Sequence, residues 1–191
     1  MLMPRPLSEL TLEELWELFP IVLTEHRAEW RDFYLEMEAK LKQAFTIFPI
    51  VRISHIGSTA IPSIWAKPIV DILVEAAQGV ELNKIAERAE DLGFLRMSDA
   101  ADRISLNFGY TVYGFAEKVY HLHLRRVGDN DELYFRDYMI EHPNIASEYE
   151  TLKLSLWKQY EHDRDGYTAA KTDFIRRYTA EAHTLYGKRY F

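Results

Sequence analysis

The sequence predicts an α+β fold: a mixed β-sheet flanked by helices, followed by a helical C-terminal third. Three observations carry this. Short apolar or alternating runs recur at 50–56, 69–75, 104–112 and 118–126, the pattern of strands. The stretches before and between them repeat apolar residues at helical spacing. After Val127 the alternation stops and only helical patterns follow. Of the 191 residues, 48% are hydrophobic and 28% charged, which supplies a core and excludes a disordered chain.

In chain order, Ser8 is a plausible cap for a short helix carrying Leu12, Leu15, Trp16 and Phe19. A longer helix spans about 26–45, with Trp30, Phe33, Tyr34, Met37, Leu41 and Phe45 on one stripe. IVRISHI at 50–56 is a strand ending in Gly57, and IVDILVE at 69–75 is a second, nearly apolar on both faces and therefore central. ELNKIAERAEDLG is a helix closed by Gly93. Ile104, Leu106, Phe108, Tyr110 and Val112 alternate, and after a turn at Gly114 so does KVYHLHLRR, which together make a hairpin. A helix at about 131–141 follows the polar GDNDEL. Pro143 opens another to about 160, HDRDG is a loop, and a last helix covers about 167–186. The expected organisation is a helical extension at 1–18, an α+β core at 19–127 and a helical subdomain at 128–191.

Composition removes several function classes. The absence of cysteine excludes disulfide frameworks, thiolate zinc sites and cysteine nucleophiles, and fits a cytoplasmic protein. No apolar run reaches the roughly 20 residues of a membrane span. The start, MLMPRPLSELTLEEL, lacks the pattern of a secretory signal. A net charge of −7 and a pI near 5.5 argue against a dedicated duplex nucleic-acid binder. A small phosphorylated ligand needs only a few local cations.

Three constellations carry chemistry. In the first, His55-Ile56-Gly57-Ser58-Thr59 ends a strand and turns into a short helix, and Asp71 follows in the middle of an otherwise apolar strand. Gly57 permits close backbone approach and the next N–H groups point at a phosphate, or the turn is an ordinary one. A buried Asp71 needs a metal, a cation or hydrogen-bond donors. In the second, His121 and His123 stand at i and i+2 of a strand and share a face. Beside the strand of Asp71 they make a two-histidine, one-carboxylate set, which suits a transition metal better than Mg; otherwise they hydrogen-bond or meet phosphate. In the third, Lys171 lies in the stripe Tyr167, Phe174, Tyr178, Ala182 and Leu185. It either snorkels or meets an anion.

HIGSTAIPSIWAKPIVDILV resembles the signature of the GrpB family, a branch of the nucleotidyltransferase superfamily that includes DNA polymerase β. Tyr120-His121-Leu122-His123-Leu124, Phe135-Arg136-Asp137-Tyr138 with His142-Pro143, and Tyr167-Thr168-Ala169-Ala170-Lys171 with Phe174-Ile175 resemble its later segments, in one order from about Phe19 to Tyr178. The resemblance implies a nucleotidyltransferase-like sheet and transfer of a nucleotidyl group from a nucleoside triphosphate. It implies Gly57, Ser58 and Thr59 against the phosphates, with Lys67, Arg136 and Lys171 neutralising them. Asp71 is the expected catalytic carboxylate, assisted by Lys67 and Lys171. The expected cofactor is a divalent metal, Mg, Mn or another transition metal, on Asp71, His121 and His123.

The sequence departs from the superfamily pattern where the metals bind. Active members carry Asp-x-Asp/Glu, but two residues after Asp71 stands Leu73, and Ser63 replaces the family's usual Gly. Glu75 shares the face but lies roughly 13 Å along the strand. The alternative is therefore a non-catalytic module that binds a nucleotide or another phosphorylated small molecule through a degenerate metal site. The family's resemblance to a domain fused to dephospho-CoA kinase in some bacteria makes that concrete.

Overall fold

The computed structural model describes residues 5–191, so the first four residues of the expected 1–18 extension lie outside it. The fold is α+β, with one mixed five-stranded sheet, six α-helices and two short 3₁₀ turns among the described residues. The strands are β1 (Ile50–Ile56), β2 (Val70–Ala76), β3 (Leu95–Ala100), β4 (Arg103–Thr111) and β5 (Gly114–Arg126), in spatial order β1-β2-β5-β4-β3. The helices are α1 (Leu12–Leu18), α2 (Glu29–Ala44), α3 (Leu82–Asp91), α4 (Asp131–Glu141), α5 (Pro143–Trp157) and α6 (Arg164–Tyr186). None is long and apolar enough to cross a membrane.

The sheet sorts its residues by the two-residue period of a strand. On one face, Val70, Ile72, Val74, Tyr120, Leu122 and Leu124 pack under Trp30, Met37 and Leu41 of α2 and Ile85 and Ala89 of α3. Each such side chain contributes about 1.5–3 kcal/mol on leaving water. The opposite face carries Asp71, Leu73 and Glu75 of β2 with His121, His123 and Arg125 of β5, and turns toward α4–α6. Those helices have their own core, Tyr134, Met139, Ala146, Tyr149, Tyr178 and Ala182, completed by Ile61 and Ile64 from the loop before β2. That loop ties the sheet to the helices.

Four sequence expectations need correction. The cap of α1 is Thr11, not Ser8: the Glu14 N–H donates to Thr11 Oγ1 at 3.2 Å while the Thr11 N–H donates to Glu14 Oε2 at 2.9 Å. Strand β3 was not expected; five of its six residues are exposed, so it pairs at the edge with no apolar period to announce it. Helix α6 begins at Arg164, inside the expected loop, because the Asp163 carboxylate accepts the Gly166 N–H at 2.8 Å and caps it. Asp71 is the second residue of β2 rather than its middle.

Candidate functional site

β2 and β5 run parallel, with Asp71 opposite His121 and Leu73 opposite His123. Asp71 Oδ1 lies 3.2 Å from His121 Nδ1 and 3.2 Å from His123 Nε2. Among the described residues this is the one trio of acidic or histidine side chains whose ligand atoms fall within 4.8 Å of one another. Burial alone would push the Asp71 carboxyl up, but the hydrogen bonds and charge of the two imidazoles outweigh it and hold the carboxyl below the ordinary carboxylate range. Burial pushes His121 below its ordinary value, against the pull of Asp71.

The Gly57 turn abuts this trio. Gly57 has φ +70°, and a Cβ there would stand 2.4 Å from Asp71 Oδ2. The turn and the carboxylate are thus fitted to each other, which only glycine allows. A cavity of about 800 Å³ opens from Gly57, Ser58, Asp71 and His123 outward between α4, α5 and α6. That is the size of a small-molecule site.

The donor set fits a divalent cation. One carboxylate and two imidazoles suit Mn, Fe, Ni or Zn. The outer partners divide. Tyr110 Oη lies 2.9 Å from His121 Nε2 and accepts from Arg164 Nη1 at 2.8 Å. A hydroxyl can donate to Nε2 or accept from it, so it serves His121 with either ring nitrogen protonated. His123 Nδ1 faces Arg125 Nη2 at 3.5 Å. A guanidinium only donates, so it favours the proton on Nε2, yet at that distance the contact is weak and yields.

Lys67 and Lys171 gather on one ring, their Nζ atoms 5.7 and 4.1 Å from the centre of the Tyr167 ring. Lys153 joins them unannounced by the sequence: it is 2% exposed, donates to the Trp65 carbonyl, and lies over Tyr149 at 4.9 Å. Among the described residues none of the three has a carboxylate within ion-pair distance. Burial lowers Lys67 to about 8 and, with neighbouring cations, Lys153 and Lys171 to about 7. The signal for Lys153 was present: Ala146, Tyr149 and Lys153 fall at i, i+3 and i+7 on the buried face of α5, the same pattern that marks Lys171.

Two expected phosphate ligands, Arg136 and Thr59, have partners within the fold. Arg136 pairs with Asp137 at 2.7 Å and donates to the His55 carbonyl at 2.8 Å and the Tyr190 hydroxyl at 3.1 Å, so it braces β1 against the C-terminus. Thr59 is 2% exposed, bonded to the Ile69 carbonyl and to His55 Nε2, so its hydroxyl is spent inside the turn. Ser58 keeps its place on the cavity, which Tyr149 also lines. Leu73 is fully buried against Ile56 and Leu133. Glu75 is likewise fully buried but satisfied by Arg52, the Gly128 N–H and Asn130, which makes it structural.

His55 braces the same turn. It stacks on Tyr34 at 4.9 Å, meets Thr59 Oγ1 at 2.9 Å, and is lowered by burial to about 4. Because the folded state disfavours its cation, protonation favours unfolding. Its contribution is whole above pH 6.5 and is lost as pH falls from 6.5 toward 4. We expect about 2–3 kcal/mol of unfolding free energy to go in that window. His55→Gln keeps a hydrogen bond to Thr59 without titrating, so urea titrations at several pH values should give a flatter profile. An unchanged profile would assign the loss elsewhere.

The family model described as GrpB protein matches residues 20–181 of the chain. The UPF0157 protein YqkA of Bacillus subtilis is 29% identical over 184 residues, 93% of this chain. The chain spans 52% of that relative's length, and 61% of a second relative, UPF0157 protein PA4798 of Pseudomonas aeruginosa. The crystal structure of conserved protein GrpB from Enterococcus faecalis superposes with a TM-score of 0.75 at 29% identity, covering 86% of this chain and 99% of that one. The Cid1 poly(U) polymerase gives a TM-score of 0.48 at 12% identity, over 68% of this chain and 41% of that one.

Proposed function

The chain belongs to the GrpB family, and from that premise we propose that it binds a nucleoside triphosphate with a divalent cation in the cleft between sheet and C-terminal helices and transfers its nucleotidyl group. One observation carries the reading: a carboxylate and two imidazoles meet beside a Gly-Ser turn on a cavity of small-molecule size. Asp71, His121 and His123 would hold the cation. When bound, it would supply charge neutralisation for the transferring phosphoryl group. Gly57 and Ser58 let the phosphates approach the backbone. Lys67, Lys153 and Lys171, none of them in an ion pair among the described residues, would supply positive charge, which suits a polyanion rather than a neutral sugar, against the pull of Asp71 on Lys67 and Lys171 and of Glu150 on Lys153.

Thermal unfolding of the full chain tests this. With Mn²⁺ and a triphosphate at about 100 times its Kd, stabilisation should reach about 2.7 kcal/mol, a rise in Tm of roughly 5–10 °C. ATP, GTP, CTP and UTP would be compared with their monophosphates. No shift with any of them at millimolar concentration would sink the reading.

Leu73 favours a second reading, a module that binds the nucleotide without turning it over, because a second metal would find no carboxylate there. Pyrophosphate release separates the two. Binding without release over hours assigns the module.

Lys153→Met probes the cations apart from the fold. Relief of a buried charge and loss of the bond to the Trp65 carbonyl roughly offset each other, so unfolding free energy should stay within about 1 kcal/mol. The triphosphate-induced rise in Tm should shrink by half or more. An undiminished rise would remove Lys153 from the site.

A further inference from the structure

We propose that Glu132 is the catalytic base of the cleft and takes the proton of a hydroxyl acceptor as that hydroxyl attacks the triphosphate. The inference rests on the nucleotidyl-transfer reading and deepens it: it names the group that activates the acceptor and the chemical class of that acceptor.

Glu132 stands in the first turn of α4 and lines the same cavity as Gly57, Ser58, Asp71 and His123. Three other carboxylates line it, and each is engaged. Asp71 is held by two imidazoles at 3.2 Å. Asp129 accepts from Arg103 through both oxygens, at 2.7 and 2.8 Å. Asp131 lies 2.7 Å from His183 Nε2. Glu132 differs: its Oε2 is buried and meets no hydrogen-bond partner among the described residues. The cations whose charge reaches it bond elsewhere, Arg103 to Asp129 and Arg125 to the Ile104 and Leu124 carbonyls. A carboxylate oxygen taken out of water without a donor is costly, and an acceptor hydroxyl in the cavity supplies that donor. The place in the fold gives a second argument. Position 73, where β2 would carry a second carboxylate, is a leucine covered by Leu133 and Ile56. Successive helical residues point about 100° apart, so while Leu133 plugs the sheet its neighbour Glu132 turns to the cavity. The carboxylate missing from position 73 is returned from the helical side. Acidic residues in a first turn also complement the helix dipole, but that role asks for no buried oxygen without a donor.

The step balances. As the acceptor oxygen forms its bond to the α-phosphorus, its proton passes to Glu132 Oε2. The bond from that phosphorus to the bridging oxygen breaks, and pyrophosphate leaves with the electron pair. The proton then passes from Glu132 to pyrophosphate or to water, which restores the carboxylate. Nothing is oxidised or reduced.

The experiment incubates the full chain with Mn²⁺ and each of ATP, GTP, CTP and UTP, with water as the acceptor and, in parallel, concentrated glycerol as a small hydroxyl acceptor. Pyrophosphate release and Tm are read on the same samples. Glu132→Gln keeps the side chain's shape and cannot take a proton. It should keep the triphosphate-induced rise in Tm and a KM near that of wild type, while kcat falls about 100-fold or more. Glu132→Ala should be as slow and should recover severalfold when formate, a carboxylate small enough to enter the gap, is added. It also carries the test if Glu132→Gln does not fold. Release at the wild-type rate by either variant overturns the inference and leaves the transfer reading standing. A rise in Tm with no release from the native chain overturns the inference and the transfer reading, and leaves binding standing. No rise and no release overturn all three. A slow Glu132→Ala that formate does not restore overturns the assignment and makes Glu132 structural.

Discussion

Asp71→Asn is expected to abolish the Mn²⁺-dependent part of the triphosphate stabilisation while leaving the chain folded. The carboxylate accepts from both imidazoles through one oxygen, each at 3.2 Å. An amide keeps a single neutral oxygen, which can still accept from both rings, and puts an NH₂ in the place of Oδ2, so it holds the fold but no longer attracts a cation. Losing one of three ligands, and the only anionic one, should weaken Mn²⁺ binding on the order of a thousandfold, about 4 kcal/mol. Titration of Mn²⁺ into wild type and variant, followed by calorimetry, reads this directly. Equal affinities would show that the trio is a hydrogen-bonded core device and not a metal site.

Gly57→Ala is the other large expected effect, and it falls on stability as well as binding. The backbone at Gly57 has φ +70° and ψ −173°, a region essentially closed to other residues, at a cost of about 1–3 kcal/mol. The new methyl would also stand 2.4 Å from Asp71 Oδ2 and 3.0 Å from its Cγ. That collision must push the carboxylate off its imidazoles or open the turn, adding about 1–3 kcal/mol of overpacking. A fall in Tm of roughly 5–15 °C follows for a chain of this size. A variant that melts like wild type and binds Mn²⁺ normally would mean that the turn has slack that the geometry does not display.

The sequence revealed the site more completely than it revealed the fold's edges. Asp71, His121 and His123 were legible because strand periodicity fixes which side chains share a face, and polar groups on an otherwise apolar strand stand out. Their mutual contact depended on β2 and β5 being neighbours, which no local pattern states. Strand β3 was illegible because its residues face water and pairing alone holds it. The partners of Thr59 and Arg136 within the fold were illegible for one reason. A side chain's type shows what it is able to bond, whereas its partner is set by what folds beside it: the Ile69 carbonyl for Thr59, Asp137 and the His55 carbonyl for Arg136. Lys153 shows the converse, a buried lysine passed over as part of an ordinary amphipathic helix.

The parallel pairing of β2 with β5 has a kinetic consequence. Asp71 and the two histidines are separated by 50 and 52 positions, and the chain between them includes α3, β3 and β4. Closing so long a loop is an entropic debt met before any contact across it forms. The seam therefore zips late, after the hairpin of β4 and β5 has given β2 an edge to join. A ligand that needs all three side chains finds no partial site on the way up the folding barrier. It should leave the folding rate nearly unchanged and act on the descent, slowing unfolding in proportion to its occupancy. The chain would then owe to its ligand a longer lifetime rather than a faster birth.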